Sequence, residues 1–176
     1  QLEALAEKLK ILVDKKHQLL MCLPPNAGCT TWQTILLNNS AMGPLKANFD
    51  SVSLHYSHDL QNAGIVPLKN MAGSEIRSVL GSYYKVMLAR HPLERIVSAY
   101  VDKLQSGKDQ AWQKGFGRLI LRAANRGLTE EAMNEGRGVL FQEFIWYIKE
   151  KGYGNEEHWE PINDLCAPCL IGYNRI

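Results

Sequence analysis

Residues 18–37 read QLLMCLPPNAGCTTWQTILL. Gln18 to Leu23 is a short apolar run closed by Pro24-Pro25, the pattern of a buried strand. Asn26-Ala27-Gly28-Cys29-Thr30-Thr31 is a small, polar turn, and Trp32 to Leu37 resumes apolar residues at helical spacing. A strand, a small-residue loop and a helix in that order aim backbone N–H groups and a helix N-terminus at one point, where an anion is stabilised. The loop is not a Walker A P-loop: it lacks G-x-x-x-x-G-K-[ST], and no lysine stands between Leu19 and Ala41. Taken alone, it fits a plain strand-to-helix turn as well as it fits a phosphate site.

Working outward, Leu2, Leu5, Leu9 and Leu12 lie at helical spacing with Lys and Glu between them, which predicts an amphipathic helix over 2–13. Ser40 to Gly73 is polar and irregular, with a His-rich stretch at Leu54-His55-Tyr56-Ser57-His58. Ser74-Glu75-Ile76-Arg77 opens a short helix through Leu80. Tyr83 to Ala89 is a second apolar run, ending at Arg90-His91-Pro92. Pro92 suits the first position of a helix whose buried stripe would be Leu93, Ile96, Val97 and Tyr100. Residues 106–138 read as a basic, loosely patterned insertion, and Phe141, Phe144, Ile145 and Ile148 mark another helix. Strands alternating with helices predict an α/β domain with a central, mostly parallel sheet flanked by helices. No linker interrupts the pattern, so residues 1–176 read as a single domain.

The chain of 176 residues is 45% hydrophobic and 22% charged, a balance that excludes a mostly disordered protein. No run approaches the ~18 apolar residues that cross a bilayer. Lys plus Arg number 20 against 18 Asp plus Glu, and a net charge of +2 gives no support to bulk nucleic-acid binding. The first residue is Gln1, and the chain reads as an excerpt from a longer protein. The cysteines are Cys22, Cys29, Cys166 and Cys169. Cys166-Ala-Pro-Cys169 has C-x-x-C spacing, but Cys22 and Cys29 do not form a second pair of that kind. Structural thiols or a disulfide are therefore preferred over zinc or a thioredoxin-like role.

A second anion-binding candidate is Arg90 through Tyr100, RHPLERIVSAY. Arg90 falls at the end of a predicted strand, where open α/β sheets bind ligands, and Ser98 follows on the next helix. A guanidinium fork and a hydroxyl converging there would hold a phosphate; a surface arginine and a helical serine that never meet are the other reading.

Several segments together resemble the Golgi carbohydrate sulfotransferases, in particular the chondroitin and dermatan 4-O-sulfotransferases and related N-acetylgalactosamine enzymes. They are Pro25 to Trp32, His55-x-Ser57-x-x-Leu60, Arg90 to Tyr100 with Asp102-Lys103, Phe141-Gln142-Glu143-Phe144-Ile145-x-Tyr147, Glu157-His158-Trp159, and Leu165-Cys166-Ala167-Pro168-Cys169-x-Ile171-x-Tyr173. They follow the family's order from about residue 19 to the end.

The resemblance implies a P-loop-like nucleotide fold and sulfuryl transfer from 3′-phosphoadenosine 5′-phosphosulfate to a sugar hydroxyl of a glycan or glycosaminoglycan, without a metal. It assigns Asn26, Ala27, Gly28, Cys29, Thr30, Thr31 and Trp32 to the 5′-phosphosulfate loop, and Arg90 and Ser98 to the 3′-phosphate. His55 is the expected general base, an imidazole titrating near the working pH, with His58 its rival. His91 would support the 3′-phosphate motif, and His158 would pack beneath the acceptor cleft rather than line it, with both readings open. The resemblance also implies a Golgi-lumenal protein of type II topology whose anchor lies outside this stretch. Asn38-Asn39-Ser40 is an N-glycosylation pattern, and the basic residues Lys108, Lys114, Arg118, Arg122, Arg126 and Arg137 could track an acidic glycan.

One departure stands out. The family usually places Lys after the loop proline, where this chain has Asn26, and often a second Lys where it has Gln33. Losing a group that stabilises developing charge costs on the order of 10²–10³ in rate. Three readings follow: a slow enzyme, one that takes a cation from elsewhere (Lys85, Lys103 or Arg95), or an inactive relative that binds nucleotide or glycan without turnover. A nucleotide kinase-like phosphotransferase is disfavoured, because the loop lysine and an acid after the second strand are both missing.

Overall fold

The computed structural model describes residues 2–40, 60, 62–107, 109–153 and 156–176. They form two compact units, one of residues 1–90 with 161–176 and one of residues 91–160.

In the first unit the expected helix over 2–13 is corrected. Only Leu2–Ala6 is helical (α1), and Ile11–Asp14 is a strand (β1). Leu2 and Leu5 lie in α1, Leu12 lies in β1, and Leu9 falls between them. Across their junction the buried apolar residues are Leu9, Ile11 and Val13, the alternation of a strand rather than the 3.6-residue period of a helix. A tight turn then joins β1 to Leu19–Cys22 (β2), antiparallel, with Ile11 opposite Cys22 and Asp14 opposite Leu19. The Asp14 carboxylate closes that turn: it accepts the His17 backbone N–H at 3.1 Å and lies 2.6 Å from His17 Nδ1.

After β2 come helix α2 (Cys29–Asn38), strand β3 (Ile65–Pro67), helix α3 (Gly73–Ser82) and strand β4 (Tyr84–Met87). The start of α3 is held by two carboxylates. Glu75 accepts the Ala72 N–H at 3.2 Å, and Glu3 of α1 accepts the Gly73 N–H at 2.8 Å. Among the described residues the sheet order is β3-β1-β2-β4. β1 runs antiparallel to β2 and β3, and β2 is parallel to β4. The mostly parallel sheet expected from the alternation is thus corrected to a mixed one. Its cause is the β1–β2 hairpin, since a short turn can only join antiparallel neighbours.

Both faces of this sheet are covered. Leu20 and Cys22 of β2 face Ile76, Val79, Leu165 and Cys166, whereas Met21 and Leu23 face Leu36, Leu37 and Ile65. The two-residue alternation along one strand thereby separates α2 from α1, α3 and the C-terminal segment. Cys22 is disulfide-bonded to Cys166, Cα to Cα 5.7 Å, while Cys29 and Cys169 are free thiols. The C-x-x-C spacing does not correspond to a bond within the motif. Cys166 and Cys169 instead lie on two short helices, Ile162–Cys166 and Pro168–Ile171, separated by Ala167 at φ 43°.

The second unit is helical among its described residues. Helix α4 (Pro92–Ala99) runs on into a π-helical turn, Tyr100–Gln105. Its expected stripe holds in part: Tyr100 is buried and Ile96 packs against the core, but Leu93 is 67% exposed and Val97 46%, and Arg95 and Ala99 are buried in addition. The inward group at Arg95 is a guanidinium that donates to the main-chain carbonyls of Glu157 and Glu160. A hydrophobic pattern does not register an arginine as a core residue.

Residues 106–138 are not a loose insertion either. They carry a helical turn at Gln110–Trp112, a π-helical turn at Gln113–Gly117, and helices α5 (Arg118–Ala124) and α6 (Glu130–Glu135). Two of the glycines that suggested a loop, Gly117 and Gly136, are close backbone contacts. A Cβ on Gly117 would stand 2.1 Å from the Gly136 carbonyl oxygen, and one on Gly136 would stand 1.8 Å from that of Gln113. Buried Gln113 in turn donates to the carbonyls of Lys103 and Leu104. Helix α7 (Phe141–Lys151) completes the core through Phe144, whose ring meets the edge of Trp159 at 5.2 Å. No helix among the described residues is long and apolar enough to cross a membrane.

Candidate functional site

The chain leaves β2 through buried Leu23, Pro24 and Pro25. The Ala27 N–H donates to the Pro24 carbonyl at 3.3 Å, which closes a four-residue turn with Pro25 second and Asn26 third at φ 61°. A proline followed by a residue of positive φ is the arrangement of a type II turn, whose third position accepts glycine or asparagine. This accounts for Asn26 in local terms: its short side chain tolerates the left-handed region better than most. Gly28 at φ 88° then redirects the backbone into α2, and the Trp32 N–H makes the first helical bond to the Gly28 carbonyl at 3.2 Å. The N–H groups of Cys29, Thr30 and Thr31 precede that bond and have no acceptor within the helix. They form the positive end of its dipole. Thr31 and Trp32 are exposed, and Cys29 and Thr30 half-buried.

Arg90 reaches this loop from the neighbouring strand. Because β2 and β4 are parallel, with Cys22 beside Met87 and the Leu88 N–H donating to the Cys22 carbonyl at 3.1 Å, the two strands end side by side. Three residues past Met87, Arg90 Nη1 donates to the main-chain carbonyl of Asn26 at 3.0 Å. The two motifs picked out as separate anion sites therefore touch. Spacing alone did not show this contact; the signal for it was the pair of apolar runs, each followed by a motif.

Other expected residues are placed as follows. His55, His58 and Ser57 lie outside the described residues, whereas Leu60 of the same motif is buried. Ser98 is half-buried on α4 of the second unit, and His91 holds the exposed N-cap position of that helix. His158 is largely buried, its Nδ1 2.5 Å from Glu156 and its ring edge-on to Trp112 at 5.0 Å. The three suggested replacement cations are engaged within their own units. Lys85 donates to the Leu80 carbonyl at 2.9 Å, Lys103 pairs with Asp102 at 2.9 Å beside the Trp112 ring, and Arg95 holds the carbonyls described above. Of the basic residues at 106–138, Arg122 pairs with Glu130 and Arg126 with Glu143, and Lys108 lies outside the described residues. A cavity of about 350 Å³ beneath α2 is lined mainly by apolar side chains such as Leu19, Ile35 and Val86, and shares only Trp32 with the loop.

Residues 9–176 match the model of the sulfotransferase family. The chain is 34% identical over 167 residues to carbohydrate sulfotransferase 9 of Homo sapiens, covering 94% of this chain and 36% of that protein. It is likewise 34% identical to carbohydrate sulfotransferase 14 of Danio rerio, with 94% and 43% covered, and 31% identical to carbohydrate sulfotransferase 11 of Rattus norvegicus, with 94% and 47% covered. The chain thus spans between a third and a half of the length of these relatives. No solved structure matches it. A loop leading into a helix N-terminus, an arginine delivered to it from the adjacent strand end, and a family match over nearly the whole chain lead to one conclusion: the chain belongs to the sulfotransferase family.

Proposed function

We propose that this chain is the donor-binding portion of a carbohydrate sulfotransferase, with a P-loop-like nucleotide fold, acting on a glycan or glycosaminoglycan hydroxyl. The observation that carries the reading is the convergence of the Pro25–Trp32 loop and Arg90 at the ends of adjacent parallel strands. The donor, 3′-phosphoadenosine 5′-phosphosulfate, supplies an activated sulfuryl group already attached to a good leaving phosphate. The residues present fit such a ligand: a helix N-terminus with three outward N–H groups, the Thr30 and Thr31 hydroxyls, and a guanidinium.

In this reading the N–H groups of Cys29, Thr30 and Thr31 bind the 5′ end of the donor and hold it in line with the acceptor. Arg90 and Ser98 are the residues for the 3′-phosphate. His55 takes the proton of the sugar hydroxyl as its oxygen bonds to sulfur and the bond from sulfur to the phosphate oxygen breaks. The names of the relatives support a carbohydrate acceptor, and the resemblance supports a Golgi-lumenal, membrane-anchored protein. The Cys22–Cys166 bond suits that compartment, because disulfides persist in oxidising lumens.

The test is transfer of radiolabelled sulfate from the donor to a panel of desulfated glycosaminoglycans. Incorporation that falls at least ~100-fold in His55→Ala supports the assignment. Donor binding without incorporation into any acceptor would identify a nucleotide-binding relative instead.

A further inference from the structure

The loop proposed to bind the phosphosulfate has neither lysine nor arginine anywhere between residues 19 and 41. Its backbone path also needs support: Asn26 sits at φ 61° and Gly28 at φ 88°, two left-handed residues within three positions. Arg90 meets both needs at once. Its guanidinium donates to the carbonyl of Asn26 at 3.0 Å, which fixes the peptide at the corner of the turn and places a full positive charge against the loop. The bond uses one of the five N–H donors a guanidinium carries.

We propose that Arg90 is a positioning residue for the 5′ end of the donor, holding the loop in its anion-binding shape through the Asn26 carbonyl and supplying the charge that the loop's own sequence lacks. This inference rests on the donor reading given above and extends it, because a residue confined to the 3′-phosphate would have no influence on a nucleotide without one. Asn26 then contributes its carbonyl and its tolerance of the left-handed turn. Arg90 becomes a link: whatever engages it also acts on the loop one strand away.

Calorimetric binding of adenosine 5′-phosphosulfate, which has no 3′-phosphate, separates the two roles. The wild type, Arg90→Ala and Arg90→Lys are compared at equal ionic strength, each first shown to keep the wild-type circular dichroism and melting temperature. Arg90→Ala is expected to weaken this nucleotide about tenfold, the scale of one lost hydrogen bond to a charged group. Arg90→Lys recovers part of the loss. An unchanged affinity in Arg90→Ala, with the loss confined to 3′-phosphorylated nucleotides, would overturn the inference while leaving the donor reading intact. Failure of the wild type to bind either nucleotide would overturn both.

Discussion

Reducing the Cys22–Cys166 bond should destabilise the first unit by several kcal/mol. The two cysteines are 144 residues apart in sequence, and the segment between them includes the whole of the second unit, residues 91–160. A cross-link stabilises chiefly by removing conformations from the unfolded chain, and for a loop of this length the chain-entropy relation gives about 5 kcal/mol. Native strain and residual structure in the unfolded chain usually lower the realised value, so the expected loss is ~2–5 kcal/mol. Both cysteines are fully buried in the core cluster with Leu20 and Leu165, so reduction tests the link without a change of side-chain size, and Cys22→Ala/Cys166→Ala provides a permanent version. The assay is urea denaturation followed by circular dichroism, with and without reductant, alongside mass mapping of the disulfide peptides. A midpoint unchanged by reduction would refute the reasoning, as would a Cys166–Cys169 peptide in place of Cys22–Cys166.

Further outcomes follow from single contacts. Arg95→Ala should cost about 3 kcal/mol, because it removes a buried guanidinium and strands the Glu157 and Glu160 carbonyls it serves; thermal melting measures the loss. Gly136→Ala should cost at least ~3 kcal/mol, since its Cβ would meet the Gln113 carbonyl oxygen at 1.8 Å with φ at 68°. Gly81→Ala, with open space around it inside α3, should instead stabilise by up to ~1 kcal/mol. The Glu75 carboxyl is held below its ordinary range by the Ala72 N–H and then by Lys15. A lowered carboxyl stabilises the folded state above the unfolded pKa and loses that contribution as pH falls through the folded one. The melting deficit of Glu75→Gln relative to wild type should therefore be present at pH 7 and vanish on acidification below the carboxylate range.

Much of this molecule was legible in its sequence where local rules act alone. The strand at Leu19–Cys22, the small-residue turn and the helix after it follow from apolar runs and punctuation, as do β4 and the proline at the start of α4. What was hidden depended on partners distant in sequence. β1 was concealed because leucines of two elements fell at helical spacing, and its loss hid the hairpin that makes the sheet mixed. The inward side of α4 was legible only at Ile96 and Tyr100, because a further buried group is Arg95, satisfied by carbonyls more than sixty residues away. Residues 106–138 resembled a loop because Gly117 and Gly136 are there for close backbone approach, which composition does not distinguish from a turn. At the site, each anion motif was visible by itself, whereas the Arg90–Asn26 bond required knowing that β2 and β4 are parallel neighbours.

The most direct measurement on the donor reading is paired titration calorimetry of the protein with 3′-phosphoadenosine 5′-phosphate and with 5′-AMP. In the proposed reading Arg90 and Ser98 are the residues for the 3′-phosphate, the one group by which these nucleotides differ. A bond to a charged group is worth ~1.5–3 kcal/mol, so the bisphosphate should bind at least ~10-fold more tightly. Equal affinities for the two would contradict the account.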